Sequence, residues 1–298
     1  MIEPLHDIVR HWGMDPTSMK PLLLHPDVTE VKAEGKTFYL KRREYSSIEN
    51  RMEELYLTSY LISHHLNVES PIITYSQLPY VKEGERVYSL YEALEGKPMK
   101  GFSIVSLTNA GAYLATLHPI LKEYRCHYEA KVWEIEKHVR DWVKELGSES
   151  IGKRGQGILS RMKGWGPPYE CLPHQFVHSD YNPGNILMKG GVVSGIIDFE
   201  RIRTAPRITD IGYFLAGMLK AVPEEKKDDS LMWILAFMKG YERRDPLTAI
   251  ERRRKQERRG STRFYMPGCL TIRPTSCRSS VQVKKNGSSM QSTLFPSN

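Results

Sequence analysis

The sequence predicts an α+β protein of two lobes: a small antiparallel-sheet lobe with one helix over residues 1–94 and a larger helical lobe over residues 95–250. Three observations carry this. Up to residue 94, short alternating stretches are broken by glycine-containing turns, whereas between residues 107 and 241 apolar residues recur at helical spacing. Inside the helical part, Gly190-Gly191 separates two apolar runs and supplies the positive φ that a two-residue hairpin needs. The length of 298 residues suits one large domain or two lobes, with ample apolar content for a core.

Taken in order, residues 28–43 alternate around Glu34-Gly35-Lys36 and read as a hairpin whose second strand carries Lys41. Ser46-Ser47 open a helix with Glu49 in its first turn and Leu57, Tyr60, Leu61 and His64 at helical spacing. Glu54 lies on the inward stripe with Leu57 and Leu61, and Glu53 stands next to it. Residues 71–75 and 79–94 read as further strands, the second folded at Lys82-Glu83-Gly84-Glu85 and closed at Gly96. Leu107, Ala110, Leu114 and Leu117 then form one helical stripe, followed by His118, which reads as a packed structural histidine. Val132, Ile135, Val139, Trp142, Val143 and Leu146 mark another amphipathic helix ending at Gly147. Residues 147–168, rich in Gly, Lys and Ser, read as a loop, and residues 207–215 and 231–241 as apolar helices.

The net charge of +8 is misleading as a guide to partners. From Glu251 onward there are eleven Lys or Arg and two Glu, so residues 1–250 are close to neutral and only the tail is basic. A basic-patch argument for nucleic acid therefore fails for the folded part, and the run RRRKQERR over 252–259 reads first as solvated charge. The last 38 residues hold twelve Ser or Thr and scattered apolar residues, a composition that predicts a disordered tail over 251–298. No apolar run approaches a membrane span, no signal peptide opens the chain, and four cysteines without pairing spacing predict reduced thiols in a cytoplasm.

The chemistry is concentrated in two short runs. Residues 178–187 read HSDYNPGNIL, and Asp198 follows Asn185 by thirteen positions in the run GIIDFE. Asp180 is placed to accept a proton from a hydroxyl. Asn185, across the Pro183-Gly184 turn, offers an amide oxygen to a metal, and the Gly-Gly hairpin brings Asp198 alongside as a second ligand. Turn capping accounts for an Asp and an Asn in one loop, but it does not ask for a second Asp at hairpin distance. The constellation points to phosphoryl transfer.

The order of these parts is that of the catalytic centre of protein kinases, and HSDYNPGNIL followed by IIDFE resembles the aminoglycoside phosphotransferase and choline kinase superfamily, usually HGDLHPGN followed by IDF or IDW. Within it, the chain looks most like the spore coat kinase-like small-molecule phosphotransferases. The resemblance implies a two-lobed protein kinase-like fold, ATP and Mg²⁺ as cofactors and a hydroxyl of a small molecule as acceptor. It implies Asp180 as the catalytic residue, Asn185 and Asp198 as metal ligands, and Lys41 as the strand lysine on the nucleotide phosphates. Glu54 is then the helix partner of Lys41, with Glu53 as the fallback. The hinge has Tyr91 at the back of the pocket, the carbonyl of Glu92 and the amide of Leu94 facing adenine. It further implies that His178 braces the loop, that Asn182 approaches the transferred phosphate and that Asp210 ties the following helix to the loop.

The chain also departs from that pattern. Ser179 replaces a usual glycine, no glycine-rich loop precedes the Lys41 strand, and the pattern stops near residue 252. A pseudokinase or spore-associated scaffold would share every motif, and a polyanion binder would act through residues 252–259. Neither the acceptor nor the oligomeric state is legible.

Overall fold

The computed structural model describes residues 5–44, 48–128, 171–223 and 228–252, six isolated positions between 132 and 169, and the segments 264–266 and 270–272. The start of the helix expected at Ser46-Ser47, most of the helix expected over 132–146, the loop over 147–168 and most of the tail lie outside the described residues.

The amino-terminal lobe is a five-stranded antiparallel sheet of β1 (Ser18–Leu22), β2 (His25–Ala33), β3 (Lys36–Arg43), β4 (Val81–Glu83) and β5 (Arg86–Glu92), ordered β1-β2-β3-β5-β4. Alternation decides which face does what. Phe38 and Leu40 of β3 and Tyr88 and Leu90 of β5 pack with Val31 and Ala33 against Ile8, Val9 and Trp12, the last two on or just after helix α1 (Leu5–Arg10). The period of two therefore turns Tyr39, Lys41 and Arg43, opposite Tyr91, Ser89 and Val87, to the other face. The β2–β3 turn has Glu34 and Gly35 at φ 52° and 75°, the left-handed conformations that a tight hairpin requires.

Helix α2 (Ile48–Ser63) crosses from this sheet to the second lobe, burying Leu57 and Leu61 in a core shared with Leu107, Ala110, Leu114, Leu117, Phe214 and Phe237. That core is built by α3 (Ile104–Glu123), α4 (Ile208–Ala221) and α5 (Ser230–Glu242). A capping box of Ser103 and Ser106 starts α3. Two glycines set how closely α3 and α5 cross. A Cβ on Gly111 would lie 2.1 Å from the Phe237 carbonyl oxygen, and one on Gly240 would lie 2.0 Å from that of Thr108.

Short strands frame the loop between the helices. β6 (Lys97–Pro98), β8 (Ile186–Lys189) and β9 (Val192–Ile196) form one three-stranded sheet, and β7 (His174–Val177) pairs with β10 (Arg203–Pro206). Gly190 and Gly191, at φ 59° and 81°, make the β8–β9 turn.

Three expectations need correction, and a short pair of strands adds to the reading of the tail. Strand β1 had no sequence signal, because SMKPL neither alternates nor lacks proline; it completes a β1–β2 hairpin with Leu23 and Leu24 exposed at its tip. Residues 71–75 are not a strand, only a bridge from Pro71 to Tyr91. Helix α3 is long and apolar enough to cross a membrane by length and composition, although no continuous apolar run marks it; half of it is buried in the lobe. The tail expected to be disordered contains β11 (Phe264–Met266) and β12 (Leu270–Ile272), antiparallel to each other, where two β-prone triplets flank Pro267-Gly268.

The second lobe runs through Glu251. Arg207 donates to both of its carboxylate oxygens, at 2.7 and 2.9 Å, and also pairs with Asp245. Burial pushes the Glu251 carboxyl up, but hydrogen bonds from Arg207 and Thr248 outweigh it and hold it at about 2.

Two stability measurements test this packing. Gly111→Val should cost about 1–3 kcal/mol or more in denaturant unfolding, because the carbonyl it meets belongs to helix backbone that cannot yield locally. A depressed carboxylate contributes stability above its unfolded value and loses it on acidification. The stability difference between wild type and Glu251→Gln should accordingly be full above pH 4.5 and shrink as pH falls toward 2.

Candidate active site

The loop that carries Asp180 is shaped by hydrogen bonds that leave its chemical groups little freedom. The Asp180 amide donates to Nδ1 of His178 at 3.2 Å, which places the His178 hydrogen on Nε2, 3.2 Å from the Ile197 carbonyl. Asn182 donates to both the carbonyl and the carboxylate of Asp180, each at 3.0 Å, while its own oxygen takes the Gly184 amide at 2.8 Å. Both ends of that amide are spent on the loop, so Asn182 braces Asp180 rather than reaching for a transferred phosphate. Ser179, where glycine is usual, sits at φ 64°, in the left-handed region that costs any side chain.

Asn185 donates its amide nitrogen to the Asp180 carbonyl at 2.9 Å, which leaves its oxygen as the end able to bind a cation. The β8–β9 hairpin then returns the chain, with the Ile197 amide 3.0 Å from the Asn185 carbonyl, and Asp198 follows at φ 71°. Burial pushes the Asp198 carboxyl up, but Lys41, then Arg43 and His178, outweigh it and hold it below the usual carboxylate range. An ionised carboxylate and an amide oxygen are hard oxygen donors of the kind Mg²⁺ takes, and the chain's described residues supply few others, as expected where substrate phosphates complete the shell.

Above this loop, Lys41 is buried with its ammonium 2.6 Å from Oε2 of Glu69, 3.7 Å from Oδ1 of Asp198 and 4.5 Å from the centre of the Tyr91 ring. Burial pulls the ammonium down, and the carboxylates of Glu69 and Asp198 outweigh that and hold it above the ordinary lysine value. The expected pairing with Glu54 is not the one formed. Glu54 does point inward, but Arg51, one turn earlier on α2, takes it at 2.8 Å, and the Tyr91 hydroxyl donates to it at 3.0 Å. Burial raises the Glu54 carboxyl against the pull of Arg51 and Lys41. The fallback, Glu53, faces away and accepts the amides of His127 and Tyr128 at 3.0 and 3.1 Å.

Besides Arg51, three residues of this network were not anticipated. Glu69 follows α2, and Arg43 of β3 grips Glu200 through two hydrogen bonds of 2.7 and 3.0 Å, joining the lobes next to Asp198. The only sequence signals were an acid within the apolar stretch LNVESPII and another directly after Asp198-Phe199. At the hinge, Tyr91 is buried behind Lys41, the Glu92 carboxylate faces Lys36 at 2.8 Å, and the Ala93 amide donates to the Thr37 carbonyl at 2.9 Å. Leu94 lies over Gly195, where a Cβ would come within 2.9 Å of its Cδ1.

Beneath the loop, Asp210 at the start of α4 is fully buried and accepts the amides of His178 and Ser179 at 2.8 and 2.7 Å, with Nε2 of His118 at 3.2 Å. His118 is thereby the packed structural histidine expected from its stripe. Asp210→Asn turns one acceptor oxygen into a donor facing a backbone N–H. It should cost about 1.5–3 kcal/mol in thermal or denaturant unfolding and lower turnover by misplacing Asp180.

The fold is shared with several solved structures. Among solved structures, an amicoumacin kinase in complex with AMP-PNP, Ca²⁺ and its antibiotic is similar at a TM-score of 0.68 and 19% identity, covering 82% of this chain and 78% of that one. A microcompartment-associated aminopropanol kinase gives 0.64 and 18%, covering 84% and 83%, and an aminoglycoside phosphotransferase from Alicyclobacillus acidocaldarius gives 0.61 and 16%, covering 83% and 79%. These likenesses show the fold, a two-lobed kinase-like one. A search of curated protein sequences found no match. The family model described as the phosphotransferase enzyme family matches residues 24–250, the span that holds every residue of the site and most of both lobes, and the chain belongs to that family.

Proposed function

We propose that the protein transfers the γ-phosphoryl group of ATP, with Mg²⁺, to a hydroxyl of a small molecule in the cytoplasm. The observation that carries this reading is the bonded run that joins Asp180 to Asn185 and Asn185 to the residue before Asp198, with the Lys41 ammonium 3.7 Å from the Asp198 carboxylate. Asn185 through its amide oxygen and Asp198 through its carboxylate would hold the metal. Bound there, it would supply positive charge against the negative charge that develops on the phosphoryl group during transfer.

The remaining work falls to the chain's own groups. Lys41 presents its ammonium to the nucleotide phosphates, and the backbone of Glu92 and Leu94 faces adenine, with the Tyr91 ring closing the pocket behind Lys41. Asp180, steadied by Asn182, accepts the hydroxyl proton as that oxygen bonds to the γ-phosphorus and the bond to the β,γ-bridging oxygen breaks. Cys126 and Cys171 are free thiols, which supports a reducing compartment.

Asp180→Asn should keep nucleotide binding and lower turnover of radiolabelled ATP, screened against a metabolite library, by at least about 10²-fold. A fully active variant would remove Asp180 as the proton acceptor. Asp198→Ala should abolish Mg²⁺-dependent nucleotide binding, and unchanged affinity would place the metal elsewhere. Nucleotide binding by the wild type with no turnover on any acceptor would identify a pseudokinase instead.

A further inference from the structure

We propose that Glu69 is a positioning residue that keeps the Lys41 ammonium off Asp198, so that the carboxylate stays available to a divalent cation. The assignment rests on the reading of Asp198 as a metal ligand. One oxygen carries the argument. Oε2 of Glu69 accepts from Lys41 Nζ at 2.6 Å and from the backbone amide of Asp198 at 3.0 Å, while Lys41 Nζ stands 3.7 Å from Oδ1 of Asp198. The lysine lies between two carboxylates and is hydrogen-bonded to one of them.

Glu69 is anchored for this task. It is 4% exposed, its own amide donates to the Ile196 carbonyl at 2.9 Å, and neighbouring Val68 bridges the same residue, so the carboxylate is fixed to the strand that leads into Asp198. The bond to the Asp198 amide also holds that residue at its left-handed φ of 71°. Among the described residues, the other acids nearby already face arginines. Glu54 is engaged by Arg51 and Tyr91, and Glu200 by Arg43.

Without the Glu69 charge, the buried ammonium has one acid within reach, the Asp198 carboxylate. An ammonium–carboxylate pair so little exposed to solvent competes strongly with an incoming cation. The two roles usually given to one lysine–glutamate pair are thus separated here: the helix acid Glu54 supports Tyr91, and Glu69 holds apart the phosphate-binding lysine and the metal-binding aspartate.

The test is fluorescence titration of the full chain with a labelled ATP analogue at increasing Mg²⁺, which reads binding and not turnover. Glu69→Gln, nearly the same in shape, should raise the half-saturating Mg²⁺ concentration by at least about tenfold. Glu69→Asp, which keeps the charge, should stay near wild type. Adding Lys41→Met to Glu69→Gln removes both charges of that pair, so no unpaired ammonium is left facing Asp198 even if the single variant folds poorly. This double variant should restore the wild-type Mg²⁺ requirement while weakening nucleotide affinity.

An unchanged Mg²⁺ requirement in Glu69→Gln, or a double variant that still needs the higher concentration, would overturn the assignment and leave the metal site standing. Absence of any Mg²⁺-dependent binding by the wild type would overturn the metal site and this assignment together.

Discussion

The structure depends on one buried carboxylate. Asp210 receives two consecutive backbone amides of the catalytic loop and the imidazole of His118, and His118 in turn meets the Tyr241 hydroxyl at 2.7 Å. Through these contacts the loop, α3, α4 and α5 share a single reference point. A charge taken wholly out of water is tolerated only when its oxygens are fully engaged, and that requirement makes the arrangement specific. The consecutive amides of His178 and Ser179 converge on one carboxylate where Ser179 turns left-handed, directly before Asp180.

Between the lobes the same rule applies to a chain of opposite charges. Lys41 with Glu69, Arg51 with Glu54 and Arg43 with Glu200 lie side by side, and Arg51 also stands 3.7 Å from Glu200. Each cation comes from the sheet lobe or its helix. Glu69 and Glu200 both lie against Asp198, one through a hydrogen bond and the other two residues along the chain. The contact between the lobes is thus electrostatic where the chemistry lies and apolar behind it, where Leu57 and Leu61 enter the large core. Charged pairs of this kind contribute little net stability, but they fix geometry, because removing one partner strands the other.

Much of this was open to a reader of the sequence. The β2–β3 and β8–β9 hairpins followed from glycine at turn positions, the stripes of α2 and α3 from helical spacing, and Asp180, Asn185 and Asp198 from the distances between them along the chain. What was missed shares a cause. Strand β1 is paired on one edge only and carries a proline, so no burial pattern marks it. The Lys41–Glu54 pairing assumed that the inward acid on the helix takes the lysine, and sequence spacing does not reveal that Arg51 reaches that acid first.

The sequence by itself determined the identity of the chemical groups and their local frames: which residues face inward on each strand and helix, where the turns fall, and that an Asp-Asn loop is followed at hairpin distance by a second Asp. These are short-range consequences of backbone periodicity and turn stereochemistry. Only the tertiary structure decided which opposite charges meet. Lys41 and Glu69 are separated by 28 residues, Glu69 and Asp198 by 129, and Arg43 and Glu200 by 157. Partners so far apart along the chain are chosen by the fold that brings them together and by the cost of leaving any buried charge alone.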